Sequence, residues 1–424
     1  MPRRPVAHLL VAALVGLAAC SGDDQADTTT ATVIETTTTS RADDGVLVIG
    51  TVLPSGGSAA ELGASMSDAL TVALDEINAR GGIDGRRVRL IAREEGDNPA
   101  TAGLAVQELV QLGVDAIIGP TSSTNTLGTL GTAVAAGVLT CSPTASALAL
   151  DEYPDEGLFF RTIPSDTVQA RAIASAVEAS GSRTAVVVYL DDAYGRPFAQ
   201  ATQNAITSRG TNVSAPIGFM PSEDSMAEAV QAVLAAAPDV VAVIADATTG
   251  PAMINAIDAA DPATGQEAIS FVVNDAIRRP SASAQPFGAS LARRIVGVAP
   301  LPYSDSIQFG EALRRVNPEA SGLYAHNAYD CLTIIALAAQ AATSSRPRDI
   351  ASSVVAVTAS GRSCSTFTTC STALAEGRNI NYNGPSGNLS IDASGNVATV
   401  DFERFTFDQS GRDVGDGVIA VGNG

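Results

Sequence analysis

The 424-residue chain contains no lysine: all 25 of its basic residues are arginine. That absence removes Schiff-base catalysis, cofactor-anchoring lysines and any phosphate loop ending in Gly-Lys. Histidine is nearly missing too, with His8 near the start and His326 the only other. No zinc-like spacing of cysteine and histidine exists, and neither a metal nor a cofactor is expected. Positive charge is scarce overall, 25 basic against 45 acidic residues for a net of −20. An acidic chain repels phosphate backbones, so nucleic acid is not an expected partner. Aromatic residues make up only 4%, yet 46% of the chain is hydrophobic, which is ample for a packed core. The length suits two or three domains, or one large two-lobed body.

What is present begins with a leader. Residues 1–20 carry the parts of a secretory signal: Arg3 and Arg4, a short apolar stretch over 9–17, then small residues before Cys20. The apolar stretch is too short to span a bilayer. The ending Leu17-Ala18-Ala19-Cys20 resembles a bacterial lipoprotein signal, in which Cys20 becomes the lipidated first residue. The expected location is therefore outside the cytoplasm, on the outer face of the cytoplasmic membrane and held there only by lipid. Residues 21–44, rich in Thr, Ser and Asp, cannot bury enough apolar surface to offset ordering and read as a tether. Four cysteines remain in an oxidising compartment. Cys364 and Cys370 are spaced to clip one loop, and Cys141 and Cys331 then pair by elimination.

From residue 46 onward, short β-branched runs alternate with Ala-rich amphipathic segments. Strands are expected over 46–51, 88–91, 116–119, 138–141, 184–190, 240–245 and 268–273. Helical patterns fill 66–80, 100–111, 167–180, 197–209, 226–236 and 251–260, with Gly81-Gly82 and Gly210 as stops. The strand runs are continuously apolar and do not alternate, which predicts parallel sheets covered on both faces. The fold class is α/β, two doubly wound parallel-sheet lobes.

Ligands of such sheets gather beyond the carboxyl ends of the strands. Those positions hold Pro120-Thr121-Ser122-Ser123-Thr124, Ser142-Pro143-Thr144-Ala145-Ser146, Asp191-Asp192-Ala193-Tyr194, Asp246 and Asn274-Asp275. Hydroxyls and backbone N–H groups at helix starts can bind a carboxylate without a cationic side chain. Across a cleft, Asp275 and Asp246 can receive an ammonium while the face of Tyr194 covers it. Each of these residues alone reads first as an ordinary helix cap. Their joint placement after strands in both halves points to a pocket for an amino-acid backbone.

The order of motifs resembles the branched-chain amino-acid receptors, the Leu/Ile/Val-binding proteins of the type I periplasmic binding fold. The resemblance runs from about 46 to about 407. It rests on Leu53-Pro54-Ser55-Gly56, Asp75-Glu76-Ile77-Asn78, Gly81-Gly82-Ile83-Asp84-Gly85-Arg86 and Ala116-Ile117-Ile118-Gly119, then on the loop 141–146. Phe160-Arg161-Thr162, Tyr194-Gly195, Ala328-Tyr329-Asp330, Asn383-Gly384 and Ile391-Asp392 follow. The resemblance implies a non-enzymatic receptor that captures a small solute between two lobes and delivers it, as a monomer, to an ABC import permease. Ser123, Thr144 and Ser146 match the positions that hold the α-carboxylate, Tyr194 the closing aromatic, and Asp275 the acid on the α-ammonium. Asp246 stands where leucine-type receptors have tyrosine, and Leu62 near their aromatic wall, which admits a polar or basic side chain, or an amide. Gly96 and Ser122 occupy the positions of the enteric members' disulfide. The implied lobes are 45–164 with 299–400 and 165–298 with 401–424, joined by a three-crossing hinge.

Two rival readings share these residues. One is an anchored amide hydrolase using Cys141 or a serine with His326, although no Gly-x-Ser-x-Gly elbow is present. The other keeps the receptor fold and presents the solute to a signalling partner.

Overall fold

The computed structural model describes residues 43–263, 265–278, 287–301, 307–398, 400–419 and 421. The secretory signal, the lipidation site Cys20 and all but the last two residues of the tether lie outside these.

Five parallel strands form the first sheet: β1 (Val48–Leu53), β2 (Arg89–Glu94), β3 (Ala116–Ile118), β4 (Leu139–Ser142) and β5 (Phe159–Arg161), in the order β2-β1-β3-β4-β5. β3 and β4 are buried throughout, as continuous apolar runs in a doubly covered sheet must be. The helix Pro99–Leu112 shows why the connections form where they do. Asn98 accepts the N–H groups of Ala100 and Thr101 at 3.0 and 3.1 Å, Pro99 needs no donor of its own, and Gly113 ends the helix at φ 79°.

The second sheet repeats the winding. β6 (Thr184–Leu190) has the short β7 (Asn212–Val213) and β8 (Ile217–Phe219) on one side. On the other side follow β9 (Val240–Ile244), β10 (Ser270–Val273) and β11 (Ile295–Pro300), all parallel. The chain then returns to the first sheet, where the helix Ala325–Ala342 is buried along nearly its whole length between Ala60–Ala79 and Pro347–Ala359. A small parallel pair, β12 (Arg362–Cys364) and β13 (Ile380–Tyr382), lies beside it. Finally β14 (Phe402–Phe407) and β15 (Asp413–Ile419) rejoin the second sheet. The chain therefore passes between the two sheets three times, after β5, after β11 and before β14.

Both expected disulfides are present, the one read from spacing and the one read by elimination. Cys141 at the end of β4 pairs with Cys331 in the buried helix, Cα to Cα 5.8 Å, and Cys364 pairs with Cys370 at 5.4 Å. Two features depart from the sequence expectation. The second sheet is mixed, because β14 runs antiparallel to β11 and β15 antiparallel to β14. β14 turns Phe402, Phe405 and Phe407 inward and β15 is largely exposed, as at the end of a sheet with one wet face. β5, β7, β8, β12 and β13 are not expected from the sequence, since runs of two or three residues carry no period, and the longer β11 is also additional.

Candidate ligand-binding site

The order of each sheet reverses direction beside its first strand, β1 and β6, and crevices open beyond the carboxyl ends at such points. A cavity of about 630 Å³ lies there. Loops after β3 and β4 supply Ser123, Thr144 and Ser146, and loops after β6, β9 and β10 supply Tyr194, Asp246 and Asp275. All six residues nominated from the sequence thus line one cavity, and Leu62 joins them from the start of Ala60–Ala79.

The hydroxyl side is held rigidly from beneath. Glu95, 1% exposed, accepts from Thr121 N–H (2.9 Å) and its hydroxyl (2.6 Å), from Ser122 N–H (2.9 Å) and from Asn125 Nδ2 (2.9 Å). These bonds fix the loop that presents Ser123 at the first turn of the helix Ser123–Ala135. Gly119 lets that loop pass close to β1, since a Cβ there would lie 2.1 Å from the Val52 carbonyl. The Ser123 hydroxyl accepts from Ala147 N–H at 3.2 Å, which leaves its own proton to donate. The Thr144 hydroxyl donates to the Thr121 carbonyl at 2.9 Å, so toward the cavity it offers lone pairs. Arg161 is fully buried, bonds Asp151, and brackets Ser146 by donating to the carbonyls of Ala145 (3.3 Å) and Ala147 (3.2 Å).

The acid side is built differently. Asp275, 8% exposed, accepts from Gln169 Nε2 at 2.8 Å on one oxygen and from the Tyr324 hydroxyl at 2.5 Å on the other. Gln169 also donates to the Val298 carbonyl at 2.9 Å. Tyr324 holds a left-handed backbone, φ 50° and ψ 17°, just before the buried helix Ala325–Ala342. Behind Ser146, Tyr194 and Asp275 lies Asp166, with no exposed surface, its own N–H donating to the Ser146 carbonyl at 2.9 Å. Neither Asp166 carboxylate oxygen has a well-formed hydrogen bond among the described residues. Burial first, and then the charge of Asp275, hold the Asp166 carboxyl well above the usual carboxylate range, against a smaller opposing pull from the Ser146 side chain. Burial, with Asp166 and Asp275 close by, likewise raises the Tyr194 phenol well above its usual range. The Tyr194 ring packs edge-on against Phe198, and its oxygen receives Asn274 Nδ2 at 3.4 Å.

Asp246 is exposed, and one of its oxygens accepts the N–H groups of Thr248 (2.7 Å) and Thr249 (2.6 Å) at the start of the helix Thr249–Ala260. For this residue the capping role is real, and any ligand contact must share it. Arg278, the cation among the described lining residues, is committed to Asp413 at 2.7 Å and Glu403 at 3.1 Å. Among the described residues no group of His, Cys, Asp and Glu is arranged to hold a metal, and no helix is long and apolar enough to cross a membrane.

Sequence reasoning does not find Glu95, Arg161, Asp166, Gln169 and Tyr324 as parts of the site. Arg161 carries a signal, a lone charge directly after Phe159 and Phe160, whereas Asp166 reads as an ordinary acidic helix start. The hydrolase reading loses its thiol, because Cys141 is bridged. His326 packs at 4.9 Å from the Phe309 ring, outside the cavity lining, and burial lowers it to about 4.

The chain is similar to known proteins in family and fold. Residues 46–411 match the periplasmic binding protein family. The chemotactic signal transduction system substrate-binding protein BasB of Halobacterium salinarum is 28% identical over 365 residues, covering 82% of this chain and 84% of that protein. The Leu/Ile/Val-binding protein BraC3 of Rhizobium johnstonii is 29% identical over 167 residues, 39% of this chain and 45% of its own length. The leucine binding protein LivK of Thermotoga maritima superposes with a TM-score of 0.72 at 16% identity, over 88% of this chain and 99% of its own. A solute binding protein from R. palustris, solved with 4-hydroxybenzoate, gives 0.71 at 14% identity over 89% and 97%. At such identities the structural likeness establishes the fold. With the family match spanning most of the chain and both sheets meeting at one cavity, the protein belongs to the periplasmic binding protein family, as an extracytoplasmic solute-binding protein of the type I fold and not an enzyme.

Proposed function

We propose that this receptor captures an amino acid or an amino-acid-like solute between its two halves and presents it to an ABC import permease. The observation that carries this reading is the convergence of Ser123, Thr144, Ser146, Tyr194, Asp246 and Asp275, from five loops on two sheets, at one cavity. Ser123 and Ser146, with the start of Ser123–Ala135, take the carboxylate end. Asp275 takes the ammonium end, Thr144 adds a lone pair to it, and Tyr194 covers it. Leu62 and Asp246 wall the side chain, where a carboxylate favours a polar or basic group, or an amide. In this reading the lobes are 45–164 with 299–400 and 165–298 with 401–424, a lipid on Cys20 anchors the chain through its tether, and the three passages form the hinge. Contacts to both lobes would favour the closed form.

A thermal-shift screen over amino acids, amides, small polyols and 4-hydroxybenzoate tests it, because binding only the native state raises the melting temperature. A rise with at least one amino compound supports the reading, and a rise with none of them removes it. BasB belongs to a chemotactic system and aligns over most of the chain, which favours a second reading as a sensor. Deleting the gene separates the two. Lost uptake of the solute supports import, and retained uptake with a lost behavioural response supports sensing.

A further inference from the structure

Two buried carboxyl groups meet at the acid end of the cavity, and they are supported unequally. Both oxygens of Asp275 have donors, from Gln169 and Tyr324. The Asp166 carboxyl has no donor at good hydrogen-bond geometry among the described residues, only a weak pull from the Ser146 hydroxyl, and no contact with solvent. The charged and titratable groups that act on it are the carboxyls of Asp275 and Asp151, the phenols of Tyr194 and Tyr324, and Arg161. Arg161 is already engaged by Asp151, the Asn396 side chain and two carbonyls, so it matches little of a new charge. A bare carboxylate beside Asp275, in a dry wall, would be an uncompensated second negative charge. The neutral acid form avoids that cost while the cavity holds no cation.

We propose that Asp166 carries a proton in the empty receptor and that the cationic head of the incoming solute drives it out, making capture a cation-for-proton exchange. This rests on the receptor reading above. The balance is simple. The solute keeps every proton of its ammonium, the Asp166 O–H bond breaks, and one proton passes to solvent for each solute bound. At the acid end one positive charge arrives and one leaves, so the charge there is unchanged, while the solute's carboxylate is met separately on the hydroxyl side. The ammonium can do this without touching Asp166, since Ser146 on the cavity wall is hydrogen-bonded to it and the wall residues Tyr194 and Asp275 lie within electrostatic reach of it. The bound form holds fewer protons than the empty form, so affinity rises with pH.

The test uses the wild-type protein, with L-isoleucine and L-arginine as cationic-headed probes and 4-hydroxybenzoate as a probe with no ammonium. Calorimetry at pH 7 in phosphate and in Tris, whose ionisation enthalpies differ, counts the protons released. Close to one proton per bound amino acid is expected, with affinity rising by up to tenfold per pH unit between pH 5 and 8. The isosteric Asp166→Asn variant should lose both the release and the slope, whatever affinity remains. If that variant fails to fold, the wild-type buffer series still decides. Amino-acid binding with no proton released and a flat pH profile overturns the exchange and leaves the receptor reading intact. Binding of neither amino acid, or of 4-hydroxybenzoate alone, overturns both for these solutes.

Discussion

Glu95 and Asp166 are both buried acids beside the same cavity, and they are opposites. Four donors from the loop 121–125 converge on Glu95, whereas the Asp166 carboxylate has no well-formed hydrogen bond among the described residues. The first acid shapes the hydroxyl side by tying its loop down. The second adds nothing to the architecture that an apolar residue could not supply, and it raises the energy of a wall that must later meet a cation. A buried carboxyl with its bonds complete is scaffold, and one left bare is held in reserve for something that arrives.

The contrast can be broken in several ways, the largest effect first. Asp275→Asn removes the charge that faces the ammonium while keeping its shape. Amino-acid affinity should fall at least 100-fold in calorimetry, with the melting temperature nearly unchanged. An unaltered affinity would remove Asp275 from the site. Glu95→Ala orphans four donors at once, and the folded state should lose about 2–3 kcal/mol in urea unfolding. Asp166→Asn in the solute-free protein should do the reverse at pH 7, raising the melting temperature by a few degrees because folding no longer has to bind a proton to a carboxyl that is ionised in the unfolded chain. If both variants destabilise equally, the distinction between the two acids fails.

A third buried acid sharpens the comparison. Asp330 accepts from the Tyr382 hydroxyl and from the Ser386 N–H and hydroxyl, yet burial still lifts it to about 7. Its unfolded value is near 3.8. Between those values the folded state holds more protons, so stability should fall as pH rises from about 4 to 7. His326 acts in the other sense. Lowered to about 4 from 6.5, it leaves the unfolded chain with more protons, so its contribution is lost as pH falls through that window. Melting curves of Asp330→Asn against wild type across pH 4–8 separate the two, and a wild-type slope unchanged in the variant would refute the assignment. The smallest effect is expected from Asp246→Asn, which keeps an oxygen for Thr248 and Thr249. Affinity for a neutral side chain should change by less than about threefold, since the lost charge is exposed.

Much of this architecture is legible in the residues alone. Continuous apolar runs mark β1, β3, β4, β6, β9 and β10 within two residues, and the rule that ligands gather at strand ends then picks residues that share a cavity. Short-range chemistry of that kind survives in sequence. The supports do not, because Glu95, Arg161, Gln169 and Tyr324 owe their meaning to partners tens or hundreds of residues away. Asp166 is hidden by its address, the first turn of a helix, where acids are commonplace. The antiparallel end of the second sheet escapes for a related reason. Its inward residues Phe402, Phe405 and Phe407 fill one face of a strand that is recognisable only beside β11.

Those last two strands do more than finish a sheet. Arg278, in the cavity wall, is gripped by Glu403 and Asp413 and stacks at 5.3 Å over Phe405. One side of the binding chamber is therefore braced from far along the chain, Asp413 lying 135 residues beyond Arg278. The chamber wall is complete only once β14 and β15 have joined the second sheet, and unseating those two strands would free Arg278 while most of the body still stood.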